Sequence, residues 1–163
     1  MRNITKWIND KFSALLKDRD YNGITEFLLL WNLFEDRLFE NKFTIRNASE
    51  YINNHIEELD ESISGMIFDY FKERYTDPLR KIVLYSYFEP LNFRDNDRKE
   101  FVNDTLLSDS PSIQHKILTS TIIIYRYRNN LFHGLKSVTQ INYQKENFIH
   151  ANIFLKMFIE SAM

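Results

Sequence analysis

The sequence predicts an all-α protein: a helical bundle with four long helices and additional short helices. Three observations predict it. Chain breakers are scarce, with three prolines (Pro78, Pro90, Pro111) and three glycines (Gly23, Gly65, Gly134) in 163 residues, so long stretches run without interruption. Within them apolar residues return at steps of three and four, the period of one helix face. The composition, 44% hydrophobic and 27% charged, is that of a chain able to bury a core. No repeat, low-complexity tract or linker divides it, so residues 1–163 read as a single domain.

Taken in order, the first helix is expected over 3–16, with Ile4, Trp7, Ile8, Phe12 and Leu15 or Leu16 on one side. "DRDYNG" (18–23) reads as a turn, and a strong helix follows over 23–40. Tyr51, Ile52, Ile56, Leu59, Ile63, Met66, Ile67, Tyr70 and Phe71 predict one long helix over 47–74, in which Gly65 marks a close packing point or a break. Asp77-Pro78 has the pattern of an N-cap followed by proline at the first helical position. It predicts a short helix to 88, ending before Pro90. "PLNFRDND" is a loop, and a short helix is expected over 97–107. Ser110-Pro111 repeats the cap-plus-proline pattern and opens a helix to 132, where Gly134 suits the left-handed residue after the helix end. "LKSVTQINYQ" reads as a loop with some extended character. The last helix runs over 145–160 on Phe148, Ile149, Ile153, Phe154, Met157 and Phe158.

Composition also narrows the chemistry. Fourteen Phe, nine Tyr and two Trp suit a large core or an oligomer interface. The absence of cysteine rules out disulfides and thiolate metal sites and fits a reducing compartment. "MRNITKWINDKFSALLKD" has no apolar core of a signal peptide, and no run approaches the length of a membrane span. The expectation is a cytoplasmic protein with no membrane contact. His55, His115, His133 and His150 show no H-E-x-x-H pattern or close carboxylate grouping, so no metal is expected. Three glycines build neither a dinucleotide loop nor a P-loop, so no cofactor is expected. Glu57, Glu58, Asp60 and Glu61 read as a solvated helix face.

Net charge is −2, yet no Asp or Glu occurs between Ser110 and Lys145. Lys116, Arg126, Arg128, Lys136 and Lys145 give that window a positive field that attracts phosphate. At its centre stands "YRYRNNLFHG", residues 125–134. Histidine moves a proton near neutral pH, and arginine holds phosphate with a two-pronged fork. The pair suits attack of an RNA 2′-hydroxyl on its own phosphodiester without a metal. Cations near a helix C-terminus also complement its dipole, which is the plain structural alternative. On one continuous helix, Arg128 and His133 point about 140° apart. They converge only if the helix ends near 132 or a second chain supplies the other half. Glu35 falls on the apolar stripe Ile24, Leu28, Trp31, Glu35, Leu38, and Arg128 on the stripe Ile117, Thr121, Ile124, Arg128, Leu131. A Glu35–Arg128 pair would answer both departures, either as a structural bond or by orienting Arg128.

"RNNLFHG" resembles the Arg-x4-His signature of the HEPN superfamily (higher eukaryotes and prokaryotes nucleotide-binding domains), over roughly residues 20–160. The resemblance implies a HEPN-like helical bundle that forms a homodimer with a composite active site. It implies a metal-independent endoribonuclease that leaves 2′,3′-cyclic phosphate ends, in a toxin–antitoxin or antiviral-defence setting. Arg128 matches the signature arginine, His133 the histidine, Asn129 the polar residue after the arginine, and Glu35 an acidic residue of the early helix. These four are the expected catalytic residues; Arg126, Asn130 and Lys136 are the expected RNA contacts. Some two-gene toxins carry a tyrosine two residues after the histidine, which a partner antitoxin modifies. Here Leu135 stands there, so that regulation is not expected, although an antitoxin or defence-complex partner is. The alternative is a noncatalytic module of the same shape that binds RNA, a nucleotide or a protein partner. The segment over 75–110 is longer than a minimal bundle needs, and it would cover the cleft, bind a partner or select RNA.

Overall fold

The computed structural model describes residues 4–132 and 143–163. Among them the chain forms eight α-helices: α1 (Ile4–Phe12), α2 (Asp18–Phe39), α3 (Ile45–Asn54), α4 (Glu61–Tyr75), α5 (Tyr85–Phe88), α6 (Lys99–Leu107), α7 (Ile113–Phe132) and α8 (Lys145–Ser161). The four long helices α2, α4, α7 and α8 form the bundle, with α2 packed along α8 and α4 along α7. Helices α3 and α6 lean on other sides of α7. No described helix is long and apolar enough to cross a membrane.

Helix α7 is the centre. Ile117 through Ile124 are all buried, including Thr119, Ser120 and Thr121. A helix apolar on one stripe sits at a surface, whereas one buried all round must be enclosed by others. The remaining helices keep a single inward face. Ile45, Ala48 and Ile52 are buried on α3, and Ile67, Phe68, Phe71 and Tyr75 on α4. Phe27 and Phe34 on α2 meet Phe148 and Phe158 of α8, respectively, through tilted and edge-on ring contacts, the geometries aromatic quadrupoles prefer. Much of the aromatic content is thereby used in the monomer core.

Several boundaries differ from the sequence expectation. The first helix stops at Phe12, where Ser13 turns left-handed (φ 51°) and the Asn9 amide bonds both backbone groups of Leu16. "DRDYNG" is helical, being the first turns of α2. Its turn-forming residues yield to packing against α8, where Asn152 Nδ2 donates to the Gly23 carbonyl. The expected helix over 47–74 is two helices. α3 ends at Asn54, a 3-10 turn spans Ile56–Glu58, and Asp60 caps α4 by accepting from the Ile63 N–H at 2.8 Å.

Asp77-Pro78 opens a β-turn rather than a helix. Asp77 accepts from the N–H groups of Leu79 and Arg80, as an Asx-type turn does. The flanking strands β1 (Thr76–Asp77) and β2 (Ile82–Val83) pair antiparallel. The chain then makes α5 and a 3-10 turn over Glu89–Leu91 that contains Pro90. Helix α7 starts two residues after Pro111, with Ser112 Oγ accepting from the His115 N–H.

Candidate functional site

The last turns of α7 carry the cluster singled out in the sequence, and its side chains divide between interior and surface. Tyr125 is half-buried and rests on Trp31 and Phe43, with ring centroids 5.9 and 4.9 Å away. Arg126 has no exposed surface. Its Nη1 meets Asp97 Oδ2 at 2.7 Å, its Nη2 donates to the Asn92 carbonyl at 2.6 Å, and its Nε donates to the Leu91 carbonyl at 3.1 Å. Burial pulls the guanidinium below its ordinary range, while the Asp97 charge opposes that pull. Asn130, also with no exposed surface, donates from Nδ2 to the carbonyls of Pro90 and Leu91.

These contacts correct two expectations. Arg126 and Asn130 are not placed to touch RNA. They lie four apart on one face of α7 and fasten the 90–97 segment to it. Nothing local in the sequence separates a cation used this way from one that faces solvent, because its partner Asp97 lies 29 positions away.

Tyr127 is buried, and its hydroxyl meets that of Tyr75 at 2.5 Å. Burial raises both phenols: Tyr75 to about 12, and Tyr127 well above its ordinary value. Both hydroxyls are therefore neutral at physiological pH.

Arg128 is half-buried, and its Nη1 donates to Asn129 Oδ1 at 3.0 Å. Asn129 is itself only 3% exposed. A buried amide thus meets the half-buried Arg128 at the end of the central helix. Glu35 is half-buried on α2 and accepts from Trp31 Nε1 at 2.9 Å, one turn earlier on the same helix. The anticipated Glu35–Arg128 ion pair does not form among the described residues: the indole satisfies the carboxylate instead. His133, Gly134, Leu135 and Lys136 lie outside the described residues.

Sequence reasoning missed Arg74, Tyr75, Tyr87 and Asp97, which gather around this end of α7. Arg74 is half-buried, with its guanidinium carbon 5.8 Å from the Tyr75 ring centre and 5.9 Å from that of Tyr87. The readable signal was the unusual length of the segment over 75–110, not any residue within it. Among the described residues no three His, Asp or Glu side chains converge on a metal-holding cluster.

Compared with models of protein families, with curated proteins and with solved structures, the chain has no match.

Proposed function

We propose that the chain is a metal-independent endoribonuclease of the HEPN type, acting as a homodimer in a toxin–antitoxin or antiviral-defence system. The observation that carries the reading is the Arg128–Asn129 unit. Arg128, a half-buried residue on the terminal turn of α7, donates to the buried Asn129 amide oxygen, five residues before His133 in "RNNLFHG". Arginine so placed binds a phosphodiester and stabilises the added negative charge as phosphorus becomes five-coordinate.

In the proposed reaction a general base takes the proton of the ribose 2′-hydroxyl. The 2′-oxygen bonds to phosphorus, and the bond from phosphorus to the 5′-oxygen of the next nucleotide breaks. A general acid returns a proton to that oxygen. His133 supplies the base or the acid, and the second subunit's motif completes the cleft. Products carry a 2′,3′-cyclic phosphate and a 5′-hydroxyl; atoms balance with no cofactor.

One observation favours a second reading, a noncatalytic RNA-binding or protein-interaction subunit. Arg126, Tyr127 and Asn130 are committed to internal bonds, so much of the polar cluster is explained by folding alone. The deciding experiment incubates purified protein with end-labelled mixed RNA in EDTA, beside His133→Ala. Cleavage by the wild type, lost in the variant and leaving cyclic-phosphate ends, is the expected result. Retention of intact RNA by both folded proteins would instead select the noncatalytic reading.

A further inference from the structure

Beside the end of α7 lies a cavity of about 620 Å³, bordered by Arg74 and Tyr75 of α4, by Tyr87, Glu89 and Asn92 of the middle segment, and by Tyr143. Its size falls within the roughly 300–1,000 Å³ of sites that take small organic ligands. We infer that it is a subsite for one nucleotide of single-stranded RNA, with Arg74 on the phosphate and Tyr87 or Tyr143 stacked on the base. The inference rests on the ribonuclease reading and names how the substrate is held beside the cut.

Three features carry it. First, Arg74 offers a cation where a ligand can reach it. It is half-buried and borders the cavity, so a phosphate there would gain a charge-assisted contact with its guanidinium. Second, the aromatic rings are exposed at the mouth: Tyr87 is 54% and Tyr143 75% accessible. Flat, accessible rings beside an arginine are how single-stranded nucleic acid is gripped without sequence selection. Glu89 is held by Lys99, which offsets its charge and leaves an anionic ligand tolerable.

Third, the motif helix, which does not line the cavity, holds residues that do. Arg126 and Asn130 clamp the carbonyls of Pro90, Leu91 and Asn92, and so hold one wall. Asn92 in that wall is left-handed, with φ 53°. Tyr127 fixes Tyr75 at the base through their paired hydroxyls. Side chains that read as RNA contacts in the sequence act on RNA indirectly, by shaping this pocket. Arg128 points about 200° round the helix from Arg126. The cavity is therefore a neighbouring subsite, reached by the strand as it passes round the end of α7, and not the point of cleavage.

The test separates binding from cleavage. Anisotropy of a fluorescein-labelled single-stranded RNA is measured in EDTA on His133→Ala protein, alone and with Tyr87→Ala or Arg74→Gln added, with circular dichroism as a folding control. Tyr87 is mostly exposed, so its truncation leaves the core intact. Tyr87→Ala is expected to raise Kd about tenfold, the scale of one lost base stack. Arg74→Gln is expected to weaken binding similarly and to lower the salt slope by about 0.7, one phosphate contact on a single strand. RNA binding unchanged by both substitutions overturns the subsite and leaves the ribonuclease reading to the cleavage assay. Binding weakened as expected, with RNA left uncut by the wild type, upholds the subsite while the nuclease reading falls. Absence of RNA binding by the His133→Ala protein overturns the subsite whatever the cleavage assay returns.

Discussion

Arg126 is held in the interior because three separate acceptors, one of them anionic, meet its guanidinium; removing Asp97 alone would strand a buried charge at a cost of about 3–5 kcal/mol. The neighbouring tyrosines store a different kind of dependence. Tyr75 and Tyr127 are buried and share a hydroxyl contact, and burial lifts both above the ordinary 10.0, Tyr75 to about 12. The folded state therefore keeps phenol protons that the unfolded chain releases near pH 10. Stability from this pair is fully present below that pH and is lost as pH rises towards 12 and beyond. The expected loss is up to about 1.4 kcal/mol per pH unit for each tyrosine. Urea unfolding of wild type and Tyr75→Phe/Tyr127→Phe between pH 9 and pH 11 checks it: the double variant should show a visibly shallower decline, and equal slopes would refute the burial argument. At this scale the sequence was legible only in part. The residue types at 126, 128, 129 and 130 marked a special helix end. Which of them faced inward depended on Asp97, Pro90 and Leu91, partners that no local pattern reveals.

Helices were legible where their apolar period was strict and no tertiary contact overrode it. α6, α7 and α8 lie within a few residues of expectation, and on α4 the predicted Ile67 and Phe71 are buried, whereas Met66 is exposed and the buried Phe68 and Tyr75 were not singled out. The failures share a cause: a local pattern continued across a point where tertiary contacts had already decided otherwise. Ile56 and Leu59 kept the helical period of 47–74 going, but Leu59 is buried from a non-helical turn and Asp60 starts a new helix. "DRDYNG" carried turn residues yet is helical because α2 must lie along α8. Gly65 was read as a packing point or break and is neither. It sits inside α4, and a Cβ added there would meet nothing within 4 Å. Its only structural consequence is greater freedom of the unfolded chain. Gly65→Ala is therefore expected to stabilise the protein by about 0.5–1 kcal/mol, read as a higher urea midpoint with an unchanged m-value. A lower midpoint would mean that the α4 surface at this position is covered by something in solution.

For the molecule as a whole, folding and the proposed activity have different requirements. The core formed by α2, α4, α7 and α8 closes within one chain: Phe27, Phe34, Phe71, Phe154 and Phe158 have no exposed surface in a lone protomer. The bundle core is therefore buried by one chain's own helices. The proposed cleft needs a partner, because a second chain's motif is called on to complete the site around Arg128. Dilution should then separate the two properties. Far-UV circular dichroism and thermal midpoint are expected to stay constant as protein is diluted through the dimer dissociation range. RNA cleavage per protomer is expected to fall over the same range, tracking the dimer fraction seen by sedimentation. Mass action demands that coincidence if the active species is the dimer. Full cleavage per protomer from a species that sediments at 19.8 kDa would remove the second chain from the mechanism. It would also require the chain beyond Phe132 to bring His133 back to Arg128 within one protomer. The sequence announced the conflict between Arg128 and His133 through the helical angle alone; its resolution depends on the path of the chain after Phe132 or on the geometry of assembly, neither of which a local pattern of residues contains.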